Sequence, residues 1–235
     1  MAKYCIYCGS KISENAKYCI YCGNRGITPQ SAQYQTYSPP QNNVYYLFFD
    51  TETTGLPKRR NAPVTDIHNW PRIVQIAWMF CDEYGRSLNS ECHIIKPDGF
   101  VIPFDAQNVH GISNEKAHRE GKDLRYVLSR FSDVISRSSY LVAHNMEFDY
   151  NVVGCEFIRN RMNNALDYIN KICTMKSTTN YCRIPKGNGY KWPSLIELHY
   201  TLFDQVFQER HNADYDVSIC AKCFFELKRR GVITI

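Results

Sequence analysis

The sequence YLFFDTETTG, residues 46–55, decides how the rest of the chain is interpreted. Residues 44–49 are apolar and aromatic without interruption, which predicts a short strand buried on both faces of a sheet. Asp50 and Glu52 follow directly, and residues two apart on a strand point to the same side, with Cα atoms roughly 6–7 Å apart. Because two buried carboxylates repel each other and lose hydration, a hard divalent cation between them would be stabilising. The alternative is an ordinary strand end with solvated acids, and only other motifs can decide between the two.

Length and composition indicate one domain with a real core and a small appendage. The chain has 235 residues, of which 44% are hydrophobic. No apolar run approaches the ~20 residues that span a membrane, and the N-terminus shows no secretory signal. Eleven cysteines without such a signal predict metal thiolates in a reducing, cytoplasmic setting rather than disulfides. The net charge of only +5 means that a polyanion would be bound through local Lys and Arg and through bound cations.

The N-terminus contains two identical YCIYCG repeats, each with a C-x2-C pair followed by glycine. Four thiolates at this spacing predict a closed, structural zinc site with Cys5, Cys8, Cys19 and Cys22 as ligands. A segment this short cannot build a core, so zinc would supply much of its folding free energy. Residues 1–23 are therefore predicted to form a zinc ribbon, whose partner could be a protein or a nucleic acid.

Residues 24–43 are rich in Gln, Ser, Pro, Tyr and Asn and contain no acid, which predicts a flexible linker. Residues 44–235 then read as an α/β domain whose first three strands pair antiparallel. Strands are predicted at residues 44–49, 72–81, 91–96, 140–143 and 171–174, and helices at residues 105–112, 123–135, 147–162, 194–202 and 213–230.

Two further polar clusters lie at boundaries of these elements. Residues 144–149, HNMEFD, follow the fourth strand, and Asp149 falls in the first turns of the next helix, near the strand's carboxyl end. Residues 211–216, HNADYD, open the last helix, so His211 and Asp216 can face one pocket. Functional residues concentrate at such boundaries. The chain thus offers four acids and one histidine for a single site.

Three motifs in this order, D-T-E-T-T-G-L at residues 50–56, H-N-x-x-F-D at 144–149 and H-x-A-x-x-D at 211–216, resemble those of the DEDDh exonucleases. That family includes the proofreading subunit of replicative polymerases, RNase T and oligoribonuclease. Shorter pieces agree: VQIA at 74–77, VHGI at 109–112 and KWPSL at 191–195. The sister class has a tyrosine four residues before the last acid, where this chain has Asn212, so the histidine subclass is indicated.

The resemblance implies a ribonuclease H-like fold, with a central mixed sheet flanked by helices, and removal of nucleotides from the 3′ ends of single-stranded DNA or RNA. It implies two Mg²⁺ or Mn²⁺ ions held by Asp50, Glu52, Asp149 and Asp216. His211, with an unperturbed pKa near 6.5, would be the general base. The terminal nucleotide would meet the backbone of Thr53, Gly55 and Leu56 and a pocket lined by His110, Asn145 and Phe148. No membrane partner is expected.

Two alternatives remain open. A nucleic-acid-binding adaptor on the same fold is possible, but it would have no reason to keep five mutually repelling or titrating groups. A polymerase-docked proofreading subunit is the other; the chain ends at Ile235, one helix after Asp216, without a clamp-binding peptide, which favours a stand-alone nuclease. Cys220 and Cys223 form a further C-x2-C, and on a helix they are expected to pack as small apolar residues.

Overall fold

The computed structural model of this protein describes residues 3–4, 11–13, 43–207 and 212–235. Strands β1 (Lys3–Tyr4) and β2 (Lys11–Ile12) pair antiparallel and flank the first cysteine pair in the sequence. Residues 24–42 of the predicted linker, the predicted general base His211 and the predicted zinc ligands Cys5, Cys8, Cys19 and Cys22 lie outside the described residues. These assignments therefore stay predictions.

The described part of the large domain is built on a five-stranded mixed sheet, as predicted, with the order β5-β4-β3-β6-β7. Neighbours β3, β4 and β5 pair antiparallel, and β3, β6 and β7 pair parallel. The strand with the deciding sequence, β3, is central. The strands are β3 (Tyr46–Thr53), β4 (Ile73–Cys81), β5 (Ser87–Ile94), β6 (Tyr140–Ala143) and β7 (Asn170–Cys173).

The main helices lie close to their predicted positions. Asp123 caps α3 through the Tyr126 N–H, and Ser194 begins α7 with a reciprocal capping box to Glu197. The helices are α1 (Phe104–His110), α2 (Asn114–Glu120), α3 (Leu124–Ile135), α4 (Met146–Arg159), α5 (Thr174–Ser177), α6 (Thr179–Cys182), α7 (Leu195–Phe203) and α8 (Ala213–Arg229). A 3-10 helix spans Ala165–Tyr168, and a short hairpin is formed by β8 (Pro185–Lys186) and β9 (Gly189–Tyr190).

Three boundaries differ from the prediction by three residues or more. Strand β3 continues through Thr53, so Asp50 and Glu52 lie within the ladder, opposite Ala77 and Gln75, rather than after its end. Strand β5 begins at Ser87 instead of Glu91, because it is an exposed edge strand without an apolar run to mark its start. Helix α4 ends at Arg159 instead of Met162, where Asn160 caps it and Arg161 turns with a φ of 53°.

Alternation along β3 places successive side chains in two different core layers. Leu47 and Phe49 pack with buried residues of α3 and α4 on one face. Tyr46 and Phe48 pack with residues of α7 and α8 on the other, including the expected Cys220 and Cys223, which are 3% and 0% exposed. The same alternation decides where the acids that follow must point. Among the described residues, no helix has the length and apolar character needed to cross a membrane.

Candidate active site

The side chains of Asp50, Glu52 and Asp216 form a compact cluster of three carboxylates, the carboxylate cluster. One oxygen of each lies within 4.8 Å of the others, and all three residues are half-buried. Asp50 and Glu52 continue the alternation of Tyr46 and Phe48, so they face α8, and Asp216 lies in the first turn of that helix. Three carboxylate oxygens at this spacing are the donor set that hard cations such as Mg²⁺ and Mn²⁺ prefer.

Asp149 approaches β3 from the opposite face. Its Oδ1 accepts hydrogen bonds from the Thr51 hydroxyl at 2.7 Å and from the Thr51 N–H at 3.1 Å, and the residue is 2% exposed. Thr51 points toward α4 because it shares the face of Leu47 and Phe49. The fourth predicted acid, Asp149, is therefore fixed beside the carboxylate cluster. The sequence did not identify Thr51 as its hydrogen-bond partner.

Burial and mutual repulsion both disfavour the charged forms of these acids. The pKa of Asp50 is raised well above its usual range, mainly by burial and then by Asp149, Asp216 and Glu52. Burial, followed by repulsion from Asp216 and Asp149, raises the pKa of Glu52 to about 8. Burial also raises the pKa of Asp149 to about 7, although the two Thr51 hydrogen bonds oppose the rise. A divalent cation would relieve this repulsion, so the electrostatics fit a metal site.

The start of α8, which carries Asp216, is held to the sheet by a buried hydrogen bond. The Ala213 N–H donates to Gln75 Oε1 at 3.1 Å, and Asn212 caps the helix by accepting from the Asp214 and Tyr215 N–H groups. Gln75 lies opposite Glu52 in the β3–β4 ladder. One side chain of the sheet thereby fixes the position of α8 relative to Glu52. The predicted His211 directly precedes Asn212 in the sequence.

The turn after β3 is held to the start of β4. Thr54 and Arg72 exchange two hydrogen bonds, of 2.9 and 3.0 Å, and Gly55 has a φ of 142° that favours glycine. His110 supports this turn from α1. Its Nδ1 accepts from the Ile112 N–H at 3.1 Å, so the proton of the neutral ring is on Nε2, which is buried without a hydrogen bond of normal geometry among the described residues. Burial lowers the pKa of His110, and the nearby Thr53 backbone offsets this only in part.

A cleft of about 370 Å³ opens beside the turn. Of the six predicted substrate contacts, Leu56, Asn145 and Phe148 line it, whereas Thr53, Gly55 and His110 do not. Asn145 has a left-handed φ of 79° and makes no capping hydrogen bond with its side chain, although it begins α4. Asparagine tolerates this conformation, and it leaves the amide available to the cleft. Arg60, Trp70, Met175 and Trp192 also line the cleft.

His144 has a structural role that the sequence did not reveal. Its Nε2 donates to the Pro193 carbonyl at 3.0 Å, and its Nδ1 lies 2.9 Å from Thr174 Oγ1. Burial lowers the pKa of His144 to about 4, so the ring is neutral at physiological pH. Because Nε2 carries the proton, Nδ1 accepts from the Thr174 hydroxyl. His144 therefore joins the end of β6 to α5 and to the segment before α7.

A family profile described as exonuclease matches residues 47–224, and one described as zinc-ribbon domain matches residues 4–25. The chain belongs to the exonuclease family. The resemblance to DEDDh exonucleases with an N-terminal zinc ribbon is thereby confirmed. The region matched by the exonuclease profile includes the carboxylate cluster, Asp149 and the cleft.

Similar proteins include DNA polymerase III PolC-type of Mycoplasmopsis pulmonis (strain UAB CTIP), 25% identical over 193 residues. That match covers 80% of this chain and 12% of the polymerase. Among solved structures, E. coli exonuclease I in complex with a dT13 oligonucleotide matches with a TM-score of 0.64 and 20% identity, covering 80% of this chain and 41% of the other. An exonuclease I from Methylocaldum szegediense matches with a TM-score of 0.63 and 18% identity, at 80% and 41% coverage. The fold predicted from the motifs is thus confirmed, and the chain spans less than half of these relatives.

Proposed function

We propose that this protein is a metal-dependent 3′–5′ exonuclease that releases nucleoside 5′-monophosphates from the 3′ ends of nucleic acids. The observation that carries the proposal is the group formed by Asp50, Glu52 and Asp216. Membership of the exonuclease family supports it, since the family profile spans residues 47–224 and so includes all three acids, two on strand β3 and one on helix α8. An adaptor that only bound nucleic acid would gain nothing from holding three mutually repelling carboxylates together.

Two Mg²⁺ or Mn²⁺ ions, when bound, would lower the pKa of the attacking water and stabilise the charge on the leaving oxygen. Asp50, Glu52 and Asp216 would hold one of them, and Asp50 would reach the other with Asp149 assisting through water. Thr51 fixes the orientation of Asp149 for that task. His211, next to the start of α8, would take the proton of the attacking water as general base.

The substrate that we propose is the unpaired 3′ end of DNA. The solved relatives include exonuclease I bound to single-stranded DNA oligonucleotides. The backbone of Thr53, Gly55 and Leu56 would bind the terminal nucleotide, with Asn145 and Phe148 in the adjoining cleft and His110 behind the turn. RNA is the alternative substrate, and cleavage of matched DNA and RNA oligonucleotides distinguishes the two.

The test is cleavage of 5′-labelled DNA and RNA oligonucleotides of one sequence, each with either a free 3′-hydroxyl or a blocked 3′ end. With Mg²⁺ or Mn²⁺ we expect a ladder shortened from the 3′ end only where that end is free, and 5′-monophosphates as the products. An Asp50→Asn variant is the control for a contaminating nuclease. Equal degradation of oligonucleotides with blocked and with free 3′ ends would refute a 3′–5′ exonuclease activity.

A proofreading role is a second candidate, because one relative is a DNA polymerase of the PolC type. In that relative the similar region makes up 12% of the chain. A mismatched 3′ nucleotide is unpaired, so any nuclease for unpaired 3′ ends removes it faster than a matched one. Proofreading would be favoured if a replicative DNA polymerase bound this protein and increased its removal of the mismatched nucleotide from a primer on a template.

A further inference from the structure

We propose that Trp192, supported by Lys176, is a stacking platform for an unpaired base of the 3′ end. This inference rests on the proposed nuclease function and adds a residue that none of the recognised motifs assigns to substrate binding. Trp192 lines the same cleft as Leu56 and Phe148. Aromatic side chains beside cationic ones are the usual means of holding single-stranded nucleic acid, since every base has a face that stacks.

The exposure of Trp192 does not fit a role in the core. Of the three tryptophans in the sequence, Trp70 and Trp78 are 4% and 0% exposed, and Trp192 is 57% exposed. The Lys176 Nζ lies 5.5 Å from the centre of the Trp192 ring. A cation over the ring makes a favourable contact with one face of the indole, and the 57% exposure of Trp192 leaves accessible surface on a residue that lines the cleft.

The backbone on both sides of Trp192 is held in place. The Lys191 N–H donates to the Ile184 carbonyl at 2.9 Å, and the Pro193 carbonyl accepts from His144 at 3.0 Å. Glu197 closes the capping box at Ser194, and its carboxylate also pairs with Lys191 Nζ at 2.6 Å. A ring on a segment tied at both neighbours loses little further freedom when a ligand binds, which favours affinity.

The charges around the cleft suit one polyanion strand. Lys176 pairs with Glu147 at 2.6 Å and so neutralises an acid that lines the cleft. Arg60, another lining residue, is exposed and leaves a positive charge there. A volume of about 370 Å³ falls within the roughly 300–1,000 Å³ of sites that enclose a small ligand. A base held there cannot remain paired, so the substrate end must be single-stranded or frayed.

The decisive experiment measures oligonucleotide binding by full-length protein in an Asp50→Asn background, which prevents cleavage. Single-stranded DNA and a blunt duplex are compared, and an abasic site is placed in turn at each of the last positions of the single strand. The variants are Trp192→Ala, Trp192→Phe and, as a matched control, Tyr168→Ala, which removes a 91% exposed aromatic outside the cleft. Tryptophan fluorescence and melting temperature are recorded for each.

We expect Trp192→Ala to weaken single-strand binding by about 5- to 150-fold, Trp192→Phe by less than about threefold because it keeps an aromatic face, and Tyr168→Ala not at all. Binding should quench tryptophan fluorescence much more where Trp192 is present, because Trp70, which also lines the cleft, is only 4% exposed. An abasic site at one position should weaken single-strand binding by the protein that retains Trp192 but should not weaken binding by Trp192→Ala any further. Neither change should alter the affinity for the duplex.

Unchanged affinity in folded Trp192→Ala, or equal abasic effects with and without Trp192, would overturn the platform. Nucleotide release by the protein with Asp50 intact is measured in parallel. If that protein cleaves while Trp192→Ala binds normally, only the platform fails. If it neither binds nor cleaves any oligonucleotide, the proposed function fails as well.

Discussion

At the scale of single residues, His211 is the group on which the proposed proton transfer depends. It precedes the cap of α8 and belongs to no apolar stripe, so its replacement should leave stability nearly unchanged. We expect His211→Ala to lose about 10²–10⁴-fold in turnover, with metal binding preserved because the carboxylates remain. Raising the pH should restore part of the rate, since the concentration of hydroxide rises.

The measurement is single-turnover cleavage across the neutral and mildly alkaline range. His118→Ala, which removes an exposed histidine of α2, is the control for a general effect of losing an imidazole. Near wild-type cleavage by folded His211→Ala would remove this histidine from the mechanism and reopen the assignment to the histidine subclass.

At the scale of elements, β3, α4 and α8 bring acids together that the fold must accommodate without a cation. Between the ordinary carboxyl pKa of 4.5 and the value of about 8 for Glu52, the folded chain holds a proton that the unfolded chain has released. Unfolding free energy therefore falls as pH rises through this window. His144 acts in the opposite direction, because its lowered pKa makes stability rise with pH from about 4 to 6.5.

Between pH 6.5 and about 8 the acids therefore determine how the unfolding free energy changes with pH. We expect the melting temperature of metal-free protein to fall across that window. Mn²⁺ should raise it more at the upper end, where fewer protons have to be displaced. Thermal denaturation with and without a chelator measures both effects. Glu52→Gln should flatten the decline, and a decline of the same size in that variant would show that other groups cause it.

The sequence predicted the elements whose pattern is periodic and missed those whose pattern is not. Strand β6 and the helix starts at Asp123 and Ser194 are where expected, because alternation and capping chemistry are local. Helix α2 and the β8–β9 hairpin are short and polar, so they offered no apolar period to detect.

The same limit applies to the site. Asp50, Glu52 and Asp216 could be grouped by motif, and alternation along β3 explains their common side. The pairing of Asp149 with Thr51, and the link from His144 to Pro193, cross 98 and 49 positions of the sequence. Both depend on which layer each element occupies, which a single sequence does not specify.

At the scale of the whole molecule, the ribbon and the nuclease should be separable. The buried clusters of the described domain draw on residues from Val44 onward, and the family profile for exonucleases begins at residue 47. We expect a chain beginning at Asn42 to fold with an unchanged melting transition and to cleave short oligonucleotides at the full rate. It would lose affinity only for long substrates or for a partner of the ribbon.

Rates on a dinucleotide and on a long strand, each compared with the intact chain, test this separation. The matched control is the intact chain with Cys5→Ser and Cys8→Ser, which removes two predicted zinc ligands without shortening the protein. If the shortened chain stayed folded and lost turnover on the dinucleotide, the ribbon would have to contribute to the active site.

In the proposed mechanism, removal of 3′ nucleotides depends on cations bound by the carboxylates of Asp50, Glu52 and Asp216. Calorimetric titration of Mn²⁺, combined with single-turnover cleavage of the same samples, tests it most directly. We predict that Asp50→Asn loses both Mn²⁺ affinity and cleavage, whereas His211→Ala loses cleavage alone. Wild-type Mn²⁺ affinity in folded Asp50→Asn, or cleavage that survives without divalent cations, would contradict the account.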